Sequence, residues 1–155
     1  MAESGRAVIR VPLKFEYPYS LKNVLQAYLA VQKQRSQATR KENDKNVVFS
    51  MERTLPKLIS TVAKKNKVEY EETLTVESQD VFVTTSKQMI PLINCEVESK
   101  ISYTGDGEQT VCFGAVKFEL GKKWVRVVKK QLTELSLKTF KQERGEEVAW
   151  LEQAS

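Results

Sequence analysis

Carboxylate side chains stand close together at two places in this 155-residue sequence, and paired carboxylates can exchange protons with a substrate. Glu71 and Glu72 are adjacent, and Glu96 and Glu98 alternate with apolar residues in one strand-like run. The alternation places Glu96 and Glu98 on a solvated face, where a carboxylate near its ordinary pKa is a poor general acid. The chain has no histidine, which excludes Ser-His-Asp and Cys-His nucleophilic catalysis. The sequence therefore predicts that the protein is not an enzyme and has no catalytic residue.

Metal and cofactor chemistry are not expected either. Cys95 and Cys112 each lie among apolar neighbours, which is typical of buried, reduced thiols. A structural zinc ion needs four ligands, and two cysteines without any histidine cannot supply them. Gly105 and Gly107 belong to a hairpin turn rather than to a phosphate-binding strand–loop–helix unit. We expect no metal and no cofactor.

The segment 55–65 is longer than the two to five residues that usually join adjacent strands. Its apolar residues lie on one side and its lysines lie around them: Leu55, Leu58, Ile59 and Val62 against Lys57, Lys64 and Lys65. An amphipathic connection of this kind is typical either of a lid that closes a cavity or of a short helix packed on the core. The pattern by itself leaves both interpretations open.

The elements around this segment indicate an α+β fold. Two-residue alternation predicts strands, and apolar spacing of three and four predicts helices. Strands are predicted at 7–15, 46–54, 67–76, 81–87, 92–103 and 109–120, helices at 21–34 and from 122 to about 151, and a solvated loop at 35–45. Short turns between consecutive strands imply an antiparallel meander. We expect a single domain, 1–155, in which a curved antiparallel sheet of about six to seven strands grips a long C-terminal helix.

The predicted C-terminal helix is rich in basic residues, and the chain carries a net charge of +5. The basic side chains of this helix are Lys122, Lys123, Arg126, Lys129, Lys130, Lys138, Lys141 and Arg144. They indicate either a solvated helix face or attraction to anionic headgroups. Nucleic acid is not expected as a partner, because the basic residues are not interleaved with exposed aromatic ones. The first residues lack the layout of a secretory signal, so we expect an intracellular protein.

Four stretches of the sequence resemble the PRELI family of intracellular lipid-transfer proteins. An opening strand leads into Tyr17-Pro18-Tyr19 and a helix, and a Leu-Pro segment follows at Leu55 and Pro56. The stretch 81–88 is similar to the family's next strand, and 144–151 is similar to its Trp-ended terminal helix. The resemblance implies a START-like, helix-grip architecture that covers most of the chain.

It also implies a function. Members of this family carry a single phospholipid, such as phosphatidic acid or phosphatidylserine, in a cavity under the Leu-Pro lid. The resemblance implies action in the mitochondrial intermembrane space, transient contact with an anionic membrane surface, and a small helical-hairpin partner protein with twin cysteines. Without it, a cytoplasmic location is expected.

On this interpretation we expect the ligand to contact eleven residues. Val97, Val116, Phe118 and Leu132 would line the acyl chains, Leu58 and Ile59 would belong to the lid, and Lys33, Arg53, Lys57, Lys129 and Lys130 would meet the headgroup. Two alternatives remain. One is a START-like interaction or chaperone module with a filled core, and the other is a helix-grip enzyme acting on an apolar substrate through Tyr, Asp or Glu.

Overall fold

The computed structural model describes residues 5–154, which form seven strands and three helices. All seven strands belong to one antiparallel sheet in the order β1-β7-β6-β5-β4-β3-β2. The elements are β1 (Arg6–Tyr17), α1 (Leu21–Arg35), β2 (Ala38–Lys41), β3 (Asn46–Thr54), α2 (Lys57–Ala63), β4 (Lys67–Val76), β5 (Val81–Ile90), β6 (Cys95–Asp106), β7 (Gln109–Gly121) and α3 (Lys122–Ala154). The predicted fold class, a curved sheet gripping a long C-terminal helix, is confirmed.

The predicted loop at 35–45 is partly wrong, because it contains β2. All four residues of β2 are exposed, so the strand has no apolar alternation that sequence reasoning could detect. Backbone pairing with β3, from Ala38 opposite Ser50 to Lys41 opposite Val47, is what makes it a strand. It forms one edge of the sheet, and β1 forms the other.

Alternation along the strands separates a core face from a solvent face. On β6, Cys95, Val97 and Tyr103 are buried, whereas Glu96 and Glu98 are exposed, as predicted. The backbones of β6 and β7 also approach each other closely at Gly114. A Cβ placed on Gly114 would lie 2.0 Å from the carbonyl oxygen of Lys100 on β6. Only glycine allows the two backbones to come this close.

The helix α3 packs across the core face of this bent sheet. Its buried residues recur at spacings of three and four and include two charged side chains: Val128, Leu132, Ser136, Phe140, Arg144, Glu147 and Leu151. The helix continues without interruption through Gly145. With 33 residues at 1.5 Å each, α3 is about 50 Å long.

The two shorter helices cover opposite parts of the core. Ser20 caps α1, its side chain accepting a hydrogen bond from the backbone N–H of Asn23 at 3.4 Å. In α2, Ile59 and Ala63 are fully or nearly fully buried, whereas Leu58 keeps 39% of its surface exposed. Within segment 55–65, α2 therefore packs on the core, and its role as a lid stays a prediction. No helix in the described part of the chain combines the length and apolar character that a membrane crossing requires.

Candidate functional site: a polar hollow between the sheet and α3

A small hollow lies between the core face of the sheet and the middle of α3. Its volume is about 40 Å³, which is enough for a few ordered water molecules. Its lining is mostly polar: Leu13, Arg53, Glu72, Thr84, Ser86, Gln88, Val97, Ser99, Ile101, Val116, Ser136, Thr139, Phe140, Glu143 and Arg144. Among residues 5–154, this hollow is neither wide nor mainly apolar, so it does not match the cavity that was expected for acyl chains. No residue of α2 lines the hollow, so the expected Leu-Pro lid does not cover it.

The polarity of the hollow follows from strand register. Glu72 on β4 lies opposite Ser86 on β5, Ser86 lies opposite Ser99 on β6, and Ser99 lies opposite Val116 on β7. The hydroxyl oxygens of Ser86 and Ser99 are 2.7 Å apart and hydrogen-bonded. A row of three polar side chains thus crosses the floor of the hollow, although their neighbours above and below are mostly apolar.

Glu72 is the acidic group of this row. The hydroxyl of Tyr28 donates to its Oε2 at 2.6 Å, and the Nε2 of Gln32 donates to the same oxygen at 2.7 Å. Neither bond uses Oε1, and the side chain keeps a partly accessible surface while lining the hollow. Burial in the surrounding protein, and secondly the nearby charge of Glu143, raise the pKa of this carboxyl above its ordinary value. A raised pKa favours the protonated carboxyl, which can donate a hydrogen bond or a proton.

A guanidinium group on β3, the strand next to β4, also lines the hollow. Arg53 lines the hollow, stacks over the ring of Tyr70 at 5.0 Å and donates to the Tyr70 hydroxyl at 3.1 Å. Burial raises the pKa of Tyr70 to about 12, so its hydroxyl stays protonated at neutral pH. Arg53 can therefore offer a fixed positive charge to a bound molecule.

A buried ion pair closes the hollow toward the C-terminal half of α3. Arg144 donates to Glu147 through Nε at 2.8 Å and through Nη2 at 2.9 Å. The hydroxyl of Tyr17 donates to Oε1 of Glu147 at 2.5 Å, and the Arg144 guanidinium lies 5.1 Å from the centre of the Phe140 ring. These hydrogen bonds give partners to both carboxyl oxygens of Glu147, none of whose surface is exposed.

Arg35 connects this ion pair to Glu72. It donates to Oε1 of Gln32 at 3.1 Å, and Gln32 in turn donates to Glu72. Its guanidinium also lies 3.8 Å from a carboxylate oxygen of Glu143 and 3.8 Å from one of Glu147. Glu72, Gln32, Arg35, Glu143 and the Arg144–Glu147 pair therefore belong to one connected network.

Three of the eleven predicted ligand-binding residues line the hollow, namely Arg53, Val97 and Val116. Ile59, Phe118 and Leu132 are buried in the core outside it. The remaining five lie on the surface: Lys33, Lys57, Leu58, Lys129 and Lys130. The structure thus brings the predicted residues together only in part, and whether any of them binds a ligand stays a prediction.

Sequence reasoning named Glu72 among the paired carboxylates without giving it a role, and it missed the ion pair of Arg144 and Glu147, although a signal was present for each. Glu72 shares a strand face with Tyr70 and Leu74, so its two-residue phase already placed it on the core side. Arg144 was grouped with solvated basic residues, which is wrong, because only 3% of its surface is exposed. Arg144 and Glu147 lie in phase with the buried stripe of α3, and that spacing indicated an internal ion pair.

A larger groove, with a volume of about 730 Å³, lies on the outer face of the sheet. It is open to solvent, and its acidic residues are already paired: Glu98 lies 3.8 Å from Lys87, and Glu71 lies 2.6 Å from Arg40. Exposed ion pairs of this kind contribute little to the free energy of unfolding. We therefore place the candidate site in the smaller hollow, which holds the enclosed carboxyl.

A comparison with protein-family models gives no match, and a comparison with curated protein sequences gives none either. Solved structures do match. Norcoclaurine synthase from Thalictrum flavum is 11% identical, with 97% of this chain and 90% of that chain covered and a TM-score of 0.60. A protein from Thermus thermophilus is 13% identical, with 95% of this chain and 99% of that chain covered and a TM-score of 0.65.

The di-domain ARO/CYC StfQ from the steffimycin biosynthetic pathway is 10% identical, with a TM-score of 0.65. The match covers 95% of this chain and 52% of StfQ, so this chain spans about half of that di-domain protein. A further structure of the Thalictrum flavum synthase, with a TM-score of 0.58, holds dopamine and hydroxybenzaldehyde. At these identities the similarity shows the fold, which is the helix-grip fold, and this fold can hold small organic ligands.

These matches bear on two predictions, the absence of enzymatic activity and the resemblance to the PRELI family. The prediction that the protein is not an enzyme is overturned, because the solved structures that share its fold include a synthase. The helix-grip part of the PRELI resemblance is confirmed. Membership of that family is not supported by any match.

Proposed function

We propose that this protein binds a small hydrogen-bonding organic molecule in the polar hollow and transfers a proton to or from it through Glu72. The observation that carries the proposal is the environment of Glu72: a carboxyl with a raised pKa, fixed by Tyr28 and Gln32, that lines an enclosed space. Groups with shifted pKa values in a cleft are typical of catalytic sites.

The neighbouring side chains would orient the bound molecule. Ser86 and Ser99 can each donate or accept a hydrogen bond, and Arg53 supplies a positive charge suited to an oxygen that becomes negative during the reaction. Glu72 would take a proton from carbon or oxygen while Arg53 or a hydroxyl stabilises the resulting anion. The reaction class is therefore acid–base catalysis at a carbonyl or phenol, such as enolisation, condensation or cyclisation.

The hollow is much smaller than an ordinary ligand pocket, so any organic ligand would have to widen it, and a small molecule requires far less widening than a phospholipid. Pockets for drug-sized molecules measure roughly 300–1,000 Å³, whereas the space here is about 40 Å³. Two acyl chains would have to displace polar groups that now bond to one another. Phospholipid transfer, the finer function implied by the PRELI resemblance, would thus require the sheet and α3 to separate.

Binding is tested by adding dopamine or hydroxybenzaldehyde, and then a wider set of small phenols and carbonyl compounds, to isotope-labelled protein and following its NMR signals. Ser99→Leu fills the hollow, and Thr85→Leu is the matched control on the exposed outer face. We expect shifts at residues lining the hollow in the wild type and in Thr85→Leu, and none in Ser99→Leu. Shifts that persist in Ser99→Leu would contradict the assignment of the site.

Proton transfer is tested with those carbonyl compounds that bind and can enolise. In deuterium oxide we expect deuterium incorporation next to the carbonyl, slowed by about a hundredfold or more in Glu72→Gln. Equal rates for Glu72→Gln and the wild type would remove Glu72 from the reaction. A phospholipid that copurifies from cells and is seen by native mass spectrometry would instead favour lipid transfer.

A further inference from the structure

One end of the molecule is formed by three segments that are distant in sequence. Segment 55–67 connects β3 to β4, segment 89–94 runs from the end of β5 to the start of β6, and segment 122–133 is the N-terminal part of α3. Strand register brings them together, because Thr54 lies opposite Lys67, Ile90 lies opposite Cys95, and Glu96 lies opposite Glu119 just before α3. In addition, α2 contacts α3. We call these three segments the basic end.

Charge is strongly segregated at the basic end. It holds nine of the chain's 25 basic residues and none of its 20 acidic residues, so the rest of the chain has 16 basic and 20 acidic residues. All nine basic side chains are exposed: Lys57, Lys64, Lys65, Lys67, Lys122, Lys123, Arg126, Lys129 and Lys130. The net charge of +5 is therefore unevenly distributed, because one end is strongly positive and the rest of the chain is slightly acidic.

Exposed apolar side chains are concentrated at the same end. Within residues 5–154, seven large hydrophobic side chains are exposed, and four of them belong to the basic end. These are Leu58 at 39%, Met89 at 45%, Leu92 at 58% and Val127 at 40%. They come from all three segments, so the folded structure gathers them although no single stretch of sequence is strongly apolar.

The backbone holds the most exposed of these residues away from the core. Leu92 has φ +69° and Asn94 has φ +46°, a region that residues other than glycine rarely adopt. Ile93 between them is almost completely buried, and its N–H donates to the carbonyl of Pro91 at 2.9 Å. The short connection between β5 and β6 is therefore anchored by Ile93 and directs Leu92 to solvent at a cost in backbone strain.

We propose that the basic end docks the protein on an anionic lipid bilayer. Lysine and arginine side chains would meet the headgroups, while Leu92, Leu58, Met89 and Val127 insert into the interface between headgroups and acyl chains. The inference is independent of the proposed chemistry in the hollow, because it concerns a different set of residues.

A bilayer fits this surface better than the other anionic partners. Nucleic acid is typically bound by basic residues with exposed aromatic stacking platforms, and the aromatic residue of these segments, Trp124, is partly buried. An acidic protein would need a surface complementary in shape to this end. Here the exposed apolar side chains are instead dispersed among cations, as in interfacial membrane anchors.

The test is cosedimentation of the full chain with vesicles of phosphatidylcholine alone or mixed with phosphatidylserine. We expect binding to the mixed vesicles only, weakening as salt is raised. Lys129→Glu/Lys130→Glu should weaken it by about tenfold or more, since each basic residue contributes near such a surface. Lys138→Glu/Lys141→Glu is the matched control, because it makes the same charge change on the exposed face of the same helix, and its loss should be clearly smaller.

The apolar contribution is tested with Leu92→Ser against Leu137→Ser, an exposed leucine outside the basic end. Only Leu92→Ser should reduce the binding that survives at high salt. Circular dichroism checks that each variant is folded. Absence of binding to mixed vesicles, equal binding to neutral ones, or equal effects of the two lysine pairs would overturn the proposal. Binding to polyglutamate without binding to vesicles would replace the bilayer with an acidic protein.

Discussion

The hydroxyl of Tyr28 on α1 donates a hydrogen bond of 2.6 Å to Oε2 of Glu72 on β4. Gln32, one turn further along α1, donates to the same oxygen. One helix thus fixes a carboxyl on the sheet floor, at the edge of an enclosed hollow. The two donors stabilise the charged carboxylate, but burial and the charge of Glu143 outweigh them, so that the pKa of Glu72 is raised.

This raised pKa predicts a pH dependence of stability. A carboxyl whose pKa is higher in the folded than in the unfolded chain binds its proton more tightly when folded. Its contribution to the free energy of unfolding is therefore present at acid pH and is lost as the pH rises above the ordinary value of 4.5. Because Gln cannot titrate, the stability of Glu72→Gln relative to the wild type should increase with pH in that range. Urea unfolding at several pH values measures this, and a constant difference would contradict it.

Removing only one partner of the ion pair between Arg144 and Glu147 should strongly lower the free energy of unfolding. Arg144→Met leaves the Glu147 carboxylate buried without its partner and should lower the free energy of unfolding by about 3–5 kcal/mol. Arg144→Met/Glu147→Leu removes both charges and should cost clearly less. Chemical denaturation gives both values. If the single variant were as stable as the double one, the pair would not be desolvated as described.

Two glycines predict opposite responses to the same substitution. A Cβ on Gly114 would lie 2.0 Å from the Lys100 carbonyl oxygen, so Gly114→Ala should destabilise the sheet by several kcal/mol or prevent folding. A Cβ on Gly145 would have nothing within 4 Å. Gly145→Ala in the interior of α3 should raise the free energy of unfolding by about 0.5–1 kcal/mol. Thermal melting of both variants measures these changes in stability. A loss of stability in Gly145→Ala would contradict the prediction.

Neighbouring residues of α2 predict how this helix is attached. Ile59 has none of its surface exposed, so Ile59→Ala should cost about 2–4 kcal/mol. Leu58 is 39% exposed, and Leu58→Ala should cost well under half as much. Equal and small losses in denaturant unfolding would mean that α2 moves away from the core, as a lid does.

The two thiols should be inert in the folded protein. Burial raises the pKa of Cys95 to about 11 and that of Cys112 to about 12, so neither forms a reactive thiolate near neutral pH. Iodoacetamide at pH 8 should leave both unmodified in the native state and label both in denaturant, as mass spectrometry can show. Rapid labelling of either one in native buffer would mean that its strand opens.

The sequence determined most of the fold because helices and strands are encoded by local periods. Apolar residues two apart placed Cys95, Val97 and Tyr103 on one face of β6, and spacing of three and four predicted α3 over nearly its full length. It did not reveal β2, because Ala38–Lys41 carries no period and exists only through pairing with β3. Element ends also moved by a few residues where pairing extended a strand, as at Tyr17 and Ile90.

The candidate site depended on tertiary structure. The sequence already held Glu72, Ser86 and Ser99, but only strand register makes them one row. Likewise, the nine basic residues are scattered between Lys57 and Lys130 until the fold brings them to one end. Local patterns fix which way a side chain points relative to its own strand or helix. Which side chains then face each other depends on contacts between distant segments, and those are decided only when the sheet bends and α3 packs against it.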